Sequence, residues 1–144
     1  MICSAYLAKD YHLDGRRIVF ANGCFDLFHA SHLAFLQHAA TYGFLIVGVN
    51  TDSSVKSLKG SKRPIIPFVE RAAIIASLKC VGCVVPLEET TPDHIIDIIN
   101  PDIIVDGAEH SITMEKYGKD RIVHLLPSAL EVTTTGIIKK IAFM

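Results

Sequence analysis

Residues Ile18–His32 read IVFANGCFDLFHASH, an apolar run that passes through a polar turn into a segment with helical spacing. The apolar part, Ile18–Ala21, predicts a buried strand, and the end of the stretch predicts a helix. His29 and His32 stand three positions apart where the strand gives way to the helix. Free backbone N–H groups and the positive end of the helix dipole at such an entry favour a phosphate group. The stretch therefore predicts a strand–turn–helix unit whose turn can bind an anion.

The two histidines have three interpretations on sequence alone. Imidazoles at a helix entry can donate hydrogen bonds to phosphoryl oxygens and stabilise the charge that grows during phosphoryl transfer. They can also be ordinary surface histidines with satisfied hydrogen bonds, or half of a zinc site. Zinc would need further ligands, and no cysteine pair stands at zinc-finger spacing from these two histidines to complete the set.

The alternation of apolar runs and helical spacing continues along the chain. Further strands are predicted at Phe44–Asn50, Val81–Pro86, Ile103–Val105 and Arg121–Leu125. Helices are predicted from a cap at Asp26 or Ser31 to about Tyr42, from Pro67 to about Lys79, from Pro92 after a cap at Thr91, and over Thr133–Ile141. Residues 51–66 predict a loop with at most one helical turn.

Continuous apolar strands that alternate with helices are typical of a parallel sheet covered on both faces. The right-handed crossover rule then predicts a doubly wound, Rossmann-like α/β sandwich, with residues 1–144 as a single domain. Ligands bind beyond the carboxyl ends of the strands in such sheets. We expect three segments at that edge: Asn22–His32, Asn50–Lys59 and Asp106–His110.

The composition fits one globular domain without a strong electrostatic field. The chain has 144 residues, of which 50% are hydrophobic, and a net charge of −1, which does not favour nucleic acid or an anionic membrane as a partner. The N-terminus lacks a basic segment followed by a long apolar run, so we expect no signal peptide, no membrane span and a cytoplasmic location. The expected reduced thiols in that compartment are Cys3, Cys24, Cys80 and Cys83. The C-x-x-C spacing of the last two allows a redox or metal role, but two thiols around the start of an apolar strand are the favoured interpretation.

Two further segments carry groups that suit phosphates. Residues 51–63 follow the end of a predicted strand and contain four cations, Lys56, Lys59, Lys62 and Arg63. Mobile cations there can neutralise a triphosphate and its leaving pyrophosphate, although a solvated basic loop is the alternative. Residues 131–141 place three threonines before a helical run, which is either a second phosphate cradle or a simple helix cap.

Five segments together resemble the cytidylyltransferase-like nucleotidyltransferases over about residues 16–142. They are NGCFDLFHASH, VNTDSSVKSLKGSKRPI, VERAAII, PDIIVDG and TTTGIIKKI, in the family's order and spacing. Within the family, the likeness is greatest to members that transfer AMP from ATP to D-glycero-β-D-manno-heptose 1-phosphate. Glycerol-3-phosphate cytidylyltransferase is a more distant likeness.

The resemblance implies a doubly wound fold and a reaction in which a substrate phosphate attacks the α-phosphate of ATP or CTP, with Mg²⁺ as cofactor and loss of pyrophosphate. It implies that His29 and His32 contact the triphosphate and that Lys56 or Lys59 is the loop lysine that reaches the phosphates. The nucleotide-binding residues that it implies are Asn22, Gly23, Cys24, Phe25, Arg71, Asp106, Gly107, Glu109, Thr133, Thr134 and Thr135. The implied partners are a sugar or polyol phosphate and a second copy of the chain.

Two departures from the family pattern bear on specificity. Ser31 occupies the position of glycine in the family's HxGH, and Val105–His110 read VDGAEH where the heptose enzymes usually read VKGGDY. These changes affect base and sugar preference more than the fold. The alternatives are a cytidylyltransferase that uses CTP on glycerol 3-phosphate or a related polyol phosphate, and a nucleotide-binding module without catalysis.

Overall fold

One parallel sheet organises the molecule. The computed structural model describes residues 1–107, 114–124 and 132–144. In these ranges the strands are β1 (Ile18–Gly23), β2 (Phe44–Asn50), β3 (Cys83–Leu87), β4 (Ile103–Asp106) and β5 (Ile122–His124). They pair in parallel in the order β3-β2-β1-β4-β5. The predicted doubly wound parallel sheet is confirmed.

Helices connect the strands and cover the sheet. The α-helices are α1 (Ala5–Ala8), α2 (Ala30–Ala40), α3 (Asp52–Lys59), α4 (Phe68–Ala76), α5 (Asp93–Ile99), α6 (Met114–Tyr117) and α7 (Thr134–Ala142). Short 3₁₀ helices span Lys9–Asp14 and Lys119–Arg121. No helix in the described part of the chain is long and apolar enough to cross a bilayer.

Both faces of the sheet are buried. Successive residues of each strand point to opposite faces, so neighbouring residues belong to different core clusters. On one face Val19 and Ala21 of β1 pack in a cluster with Leu36 of α2 and Ile75 of α4. On the other face Phe20 lies in a cluster with α5. This two-sided burial explains why the strands read as uninterrupted apolar runs.

The register brings the carboxyl ends of the central strands to one edge. Asn22 of β1 is level with Gly48 of β2, and Ala21 is level with Val105 of β4. Asn22, Asn50 and Asp106 therefore all lie near the same rim of the sheet. The edge that we predicted to bind a ligand is the one from which α2 and α3 begin.

Three helix predictions are wrong in detail. His29, rather than Asp26 or Ser31, is the N-cap of α2. Residues 52–59 form a two-turn helix instead of a loop, because Val55 is fully buried under the sheet edge. Pro92, rather than Thr91, is the N-cap of α5, which begins at Asp93.

The N-terminal segment is attached to the edge strand β3. Ile2 bridges to Val84, and Cys3 forms a disulfide with Cys83. The prediction that all four cysteines are reduced thiols is therefore wrong for this pair, whereas Cys24 and Cys80 are free. A separation of 80 residues gives no sequence pattern from which such a pairing could be read.

Candidate active site

The turn after β1 folds back on itself under the rim of the sheet. Phe25 and Leu27 have φ values of 51° and 49°, in the left-handed region that few non-glycine residues adopt. Gly23 permits the turn, since a Cβ atom at that position would lie 3.0 Å from Cζ of Phe25. The turn buries the ring of Phe25 and the carboxylate of Asp26, and it leads into the N-terminus of α2.

His29 and His32 are stacked at the entry of α2. Their ring centroids lie 3.7 Å apart with an interplanar angle of 22°. The backbone N–H of His29 donates to Nδ1 of His32 at 3.4 Å, which places the proton of the neutral His32 ring on Nε2. Burial, and secondarily the neighbouring His29, lowers the pKa of His32 to about 4. At pH 7 His32 is therefore a neutral ring with one N–H donor.

Thr134, the first residue of α7, links His29 to the β1 turn. Its hydroxyl donates to the backbone oxygen of Asp26 at 2.7 Å, and its Oγ1 lies 3.4 Å from Nε2 of His29. Because the single hydroxyl proton is used by Asp26, the imidazole donates in the second contact, and His29 also carries its proton on Nε2. Burial lowers the pKa of His29 too, so both imidazoles are neutral at pH 7.

Asp26 fixes the segment that follows α3. Its carboxylate is 1% exposed and accepts hydrogen bonds from Nε of Arg63 at 2.9 Å and from the backbone N–H groups of Ile65 and Ile66. Burial alone would raise the pKa of Asp26, but these three donors outweigh it and hold the pKa below its ordinary value. One buried carboxylate thus joins residues 63–66 to the β1 turn.

Arg71 of α4 ties the ends of β1 and β2 together. Its side chain is 2% exposed overall, and its Nη1 donates to the backbone oxygens of Cys24 at 2.6 Å and Asn50 at 2.8 Å. Its Nε donates to Ile66 O, and its Nη2 pairs with Asp52. The guanidinium therefore links the segments at the carboxyl ends of β1 and β2.

Comparison with known proteins identifies the fold and the family. The model of the cytidylyltransferase-like family matches residues 20–141. The chain belongs to the cytidylyltransferase-like family. The family expected from the sequence resemblance is confirmed.

Relatives of this cytidylyltransferase-like chain include larger bacterial proteins. The bifunctional protein HldE of Nitratiruptor sp. is 46% identical over 137 residues, which cover 93% of this chain and 29% of that protein. The bifunctional protein HldE of Helicobacter pylori is 46% identical over 132 residues, or 90% of this chain and 28% of that protein. The chain thus spans less than a third of the length of these relatives.

A solved structure shares the cytidylyltransferase-like architecture. The crystal structure of the lipopolysaccharide core biosynthesis protein from Thermoplasma volcanium matches with a TM-score of 0.71 and 28% identity. The match covers 79% of this chain and 99% of that one. This match supports the doubly wound fold that is described above for this chain.

Several residues predicted for the cytidylyltransferase-like site are brought together at the rim. His29, His32 and Thr134 are in mutual contact, and Phe25 packs edge-on against His32 at 5.4 Å between centroids. Asn22 and Gly23 end β1 beside this cluster, and Cys24 follows them.

The other predicted residues have different surroundings. Asp106 is buried at the end of β4, and Gly107 follows it with Phe35 nearby. Thr133 caps α7 by accepting from the N–H of Gly136 at 2.9 Å, and Thr135 is exposed. Glu109 lies outside the described residues. The ligand contacts predicted for all of these residues stay predictions.

The loop cations lie on α3 and just beyond it. Lys56 and Lys59 are both exposed. The pKa of the Cys24 thiol is raised by burial, and this rise is opposed by the positive charges of Lys59, Arg71 and Arg63. Lys59 is therefore within electrostatic reach of the β1 turn, and the phosphate contact expected of Lys56 or Lys59 stays a prediction.

Sequence reasoning missed the central role of Asp26. The sequence indicated this residue only as a possible helix cap. In the structure, Asp26 is buried and hydrogen-bonds the β1 turn to residues 63–66 and to the start of α7. The available signal was a lone carboxylate between aromatic and aliphatic residues in FDLF. An acid in such surroundings is buried only when it has partners.

Proposed function

We propose that this domain transfers AMP from ATP to the phosphate of a sugar 1-phosphate, with D-glycero-β-D-manno-heptose 1-phosphate as the leading acceptor. The observation that carries the proposal is the pair of neutral, stacked imidazoles at the N-terminus of α2. The family and the HldE relatives support a nucleotidyl transfer at this site. The choice of ATP and heptose phosphate follows the sequence resemblance.

The nucleophile in this reaction needs no general base. A phosphomonoester has a second pKa of about 6, so the acceptor phosphate is ionised at pH 7. One of its oxygens forms a new bond to the α-phosphorus of ATP as the bond to the β-phosphate oxygen breaks, and pyrophosphate leaves with the electron pair. The protein must align the two ends and stabilise the charge that spreads over the equatorial oxygens.

The two imidazoles suit this task because they are neutral donors. Nε2–H of His32 and Nε2–H of His29 can each donate to a phosphoryl oxygen, and neither loses its proton near pH 7. The N-terminus of α2, through its dipole, favours the same negative charge. His29 exchanges its weak 3.4 Å contact with Thr134 for the phosphate in this proposal.

Magnesium is proposed to arrive with the nucleotide. No group of three or more His, Cys, Asp or Glu side chains within residues 1–107, 114–124 and 132–144 is arranged to hold a metal. Asp26 in the turn and Asp52 at the start of α3 form ion pairs with Arg63 and Arg71, respectively. Mg²⁺ typically binds nucleotide phosphates and water with only one or two protein ligands, and it neutralises phosphate charge when bound.

The test is pyrophosphate release from ATP and from CTP, each with heptose 1-phosphate, glycerol 3-phosphate and a panel of other sugar phosphates. We expect release with ATP and heptose 1-phosphate. Release only with CTP and a polyol phosphate would replace this proposal with the cytidylyltransferase alternative. Nucleotide binding without release from any pair would indicate a binding module.

The role of the imidazoles is tested by His32→Ala. We expect kcat to fall by roughly 100-fold or more, because a donor aimed at developing charge is worth that much. The matched control is His38→Ala, a change at an exposed histidine near the other end of α2. Near-normal turnover by a folded His32→Ala protein would count against the mechanism.

The homodimer implied by the resemblance stays a prediction, to be checked by light scattering.

A further inference from the structure

The two arginines beside the β1 turn differ in how their hydrogen-bond donors are used. A guanidinium carries five N–H donors. Arg71 directs its Nε and both Nη groups to acceptors in the protein, with partners at Ile66, Cys24, Asn50 and Asp52. Most N–H donors of the Arg71 guanidinium are therefore already hydrogen-bonded to acceptors within the protein.

Arg63 uses only the inner edge of its guanidinium. Its Nε donates to Oδ2 of Asp26 at 2.9 Å. Across the part of the chain that the structure describes, neither terminal nitrogen of Arg63 has a hydrogen-bond partner. The side chain is nevertheless only 14% exposed, so it is held in place rather than extended into solvent.

The fixed guanidinium lies beside the β1 turn, where its Nε contacts the Asp26 carboxylate. Its positive charge acts on the thiol of Cys24, which directly follows β1. The carboxylate of Asp26 accepts from Nε of Arg63, and the backbone oxygen of the same residue accepts from the hydroxyl of Thr134. That hydroxyl also contacts Nε2 of His29. Arg63 is thus connected to the imidazole of His29 through two intervening residues, and its terminal N–H groups have no partner among the residues that the structure describes.

We propose that Arg63 binds the triphosphate, with Asp26 orienting the guanidinium through Nε so that both terminal nitrogens donate to phosphate oxygens. This inference rests on the proposed function and adds a phosphate ligand to the site. A planar guanidinium fixed at Nε presents two parallel donors, which match the spacing of two phosphate oxygens. Lysine cannot bind Asp26 and phosphate through separate edges in this way.

A purely structural ion pair is the competing explanation, and it makes a different prediction. If Arg63 served only as the counter-ion of Asp26, its loss would loosen residues 63–66 and weaken all ligands alike. If it binds the β- or γ-phosphate, its loss weakens ATP and leaves AMP nearly unchanged. The ratio of ATP to AMP affinity separates the two.

The experiment compares Arg63→Gln and Arg63→Lys with the control Arg16→Gln by calorimetric titration of ATP and AMP in the full chain. Arg16 precedes β1 at the opposite edge of the sheet, where it pairs with Asp14. We expect Arg63→Gln to weaken ATP at least about tenfold, the value of a lost charge-assisted hydrogen bond, and AMP less than about twofold. Arg63→Lys should fall between Arg63→Gln and the wild type.

The possible outcomes separate a failure of this inference from a failure of the proposed function. Equal losses for ATP and AMP, or an Arg63→Gln protein that binds ATP as Arg16→Gln does, would overturn the inference. If Arg63→Gln does not fold, the ATP-to-AMP ratio of Arg63→Lys decides in the same way. A wild-type protein that releases no pyrophosphate from any substrate pair would refute the proposed function alone, because the affinity ratio is measured without turnover.

Discussion

Acid should destabilise this protein through His32, and the size of the effect follows from its surroundings. The pKa of His32 is about 4 in the folded chain, against an ordinary value of 6.5. Between these values the unfolded chain binds a proton that the folded chain excludes, so the free energy of unfolding decreases as the pH falls from about 6.5 towards 4. Each tenfold difference in proton affinity is worth about 1.4 kcal/mol, so the loss should reach about 2–3 kcal/mol.

The assay is urea denaturation of the wild type and His32→Gln at intervals from pH 8 to pH 4.5. This range lies above the pH at which the Asp26 carboxylate takes up a proton, because the pKa of Asp26 is held below its ordinary value. His32→Gln should lose most of the decrease seen in the wild type, whereas His38→Gln should retain it. If the wild type and His32→Gln follow parallel curves from pH 7 to pH 4.5, the burial argument for His32 is refuted.

Two other predictions concern the remaining cations. Arg71→Lys should destabilise the fold by about 3–5 kcal/mol in a urea titration, because lysine cannot serve the backbone oxygens of Cys24 and Asn50 together with Asp52; a loss below 1 kcal/mol would contradict the structural role. Lys59→Gln should raise the KM for ATP several-fold more than Lys56→Gln, because Lys59 acts electrostatically on the β1 turn; equal effects in steady-state assays would remove that distinction.

The sheet was predictable because its strands are buried on both faces. Segments such as Phe44–Asn50 are continuous apolar runs, and their bounds in the structure agree with the prediction. The position of the predicted binding edge followed from the parallel direction of the strands alone. Ile95, Ile96 and Ile99 recur at helical spacing in the sequence, and all three are buried on one face of α5.

Features that depend on tertiary partners were not predictable in the same way. Residues 52–59 are mostly polar, and their helix is stabilised by burial of Val55 and by a hydrogen bond from Asn50 to Ser54. Phe25 adopts a backbone conformation that its residue type disfavours, so local preference could not indicate the turn.

Side-chain roles at the site were the hardest to assign. Sequence reasoning selected Arg71 as a nucleotide ligand and only counted Arg63 among the loop cations. The difference between them is the number of donors left after the protein's own acceptors are served, and only the folded arrangement shows it. A chemical type in a motif indicates which bonds a residue can make, but its packing decides which bonds remain for a ligand.

We propose that the imidazoles of His29 and His32 donate hydrogen bonds to oxygens of the α-phosphate at which displacement occurs. The most direct measurement is a crystal structure of the full chain with a non-hydrolysable ATP analogue and Mg²⁺. We predict that Nε2 of each ring lies within hydrogen-bonding distance of an α-phosphate oxygen. Rings that point away from the triphosphate, or that jointly bind a structural metal ion, would contradict the account.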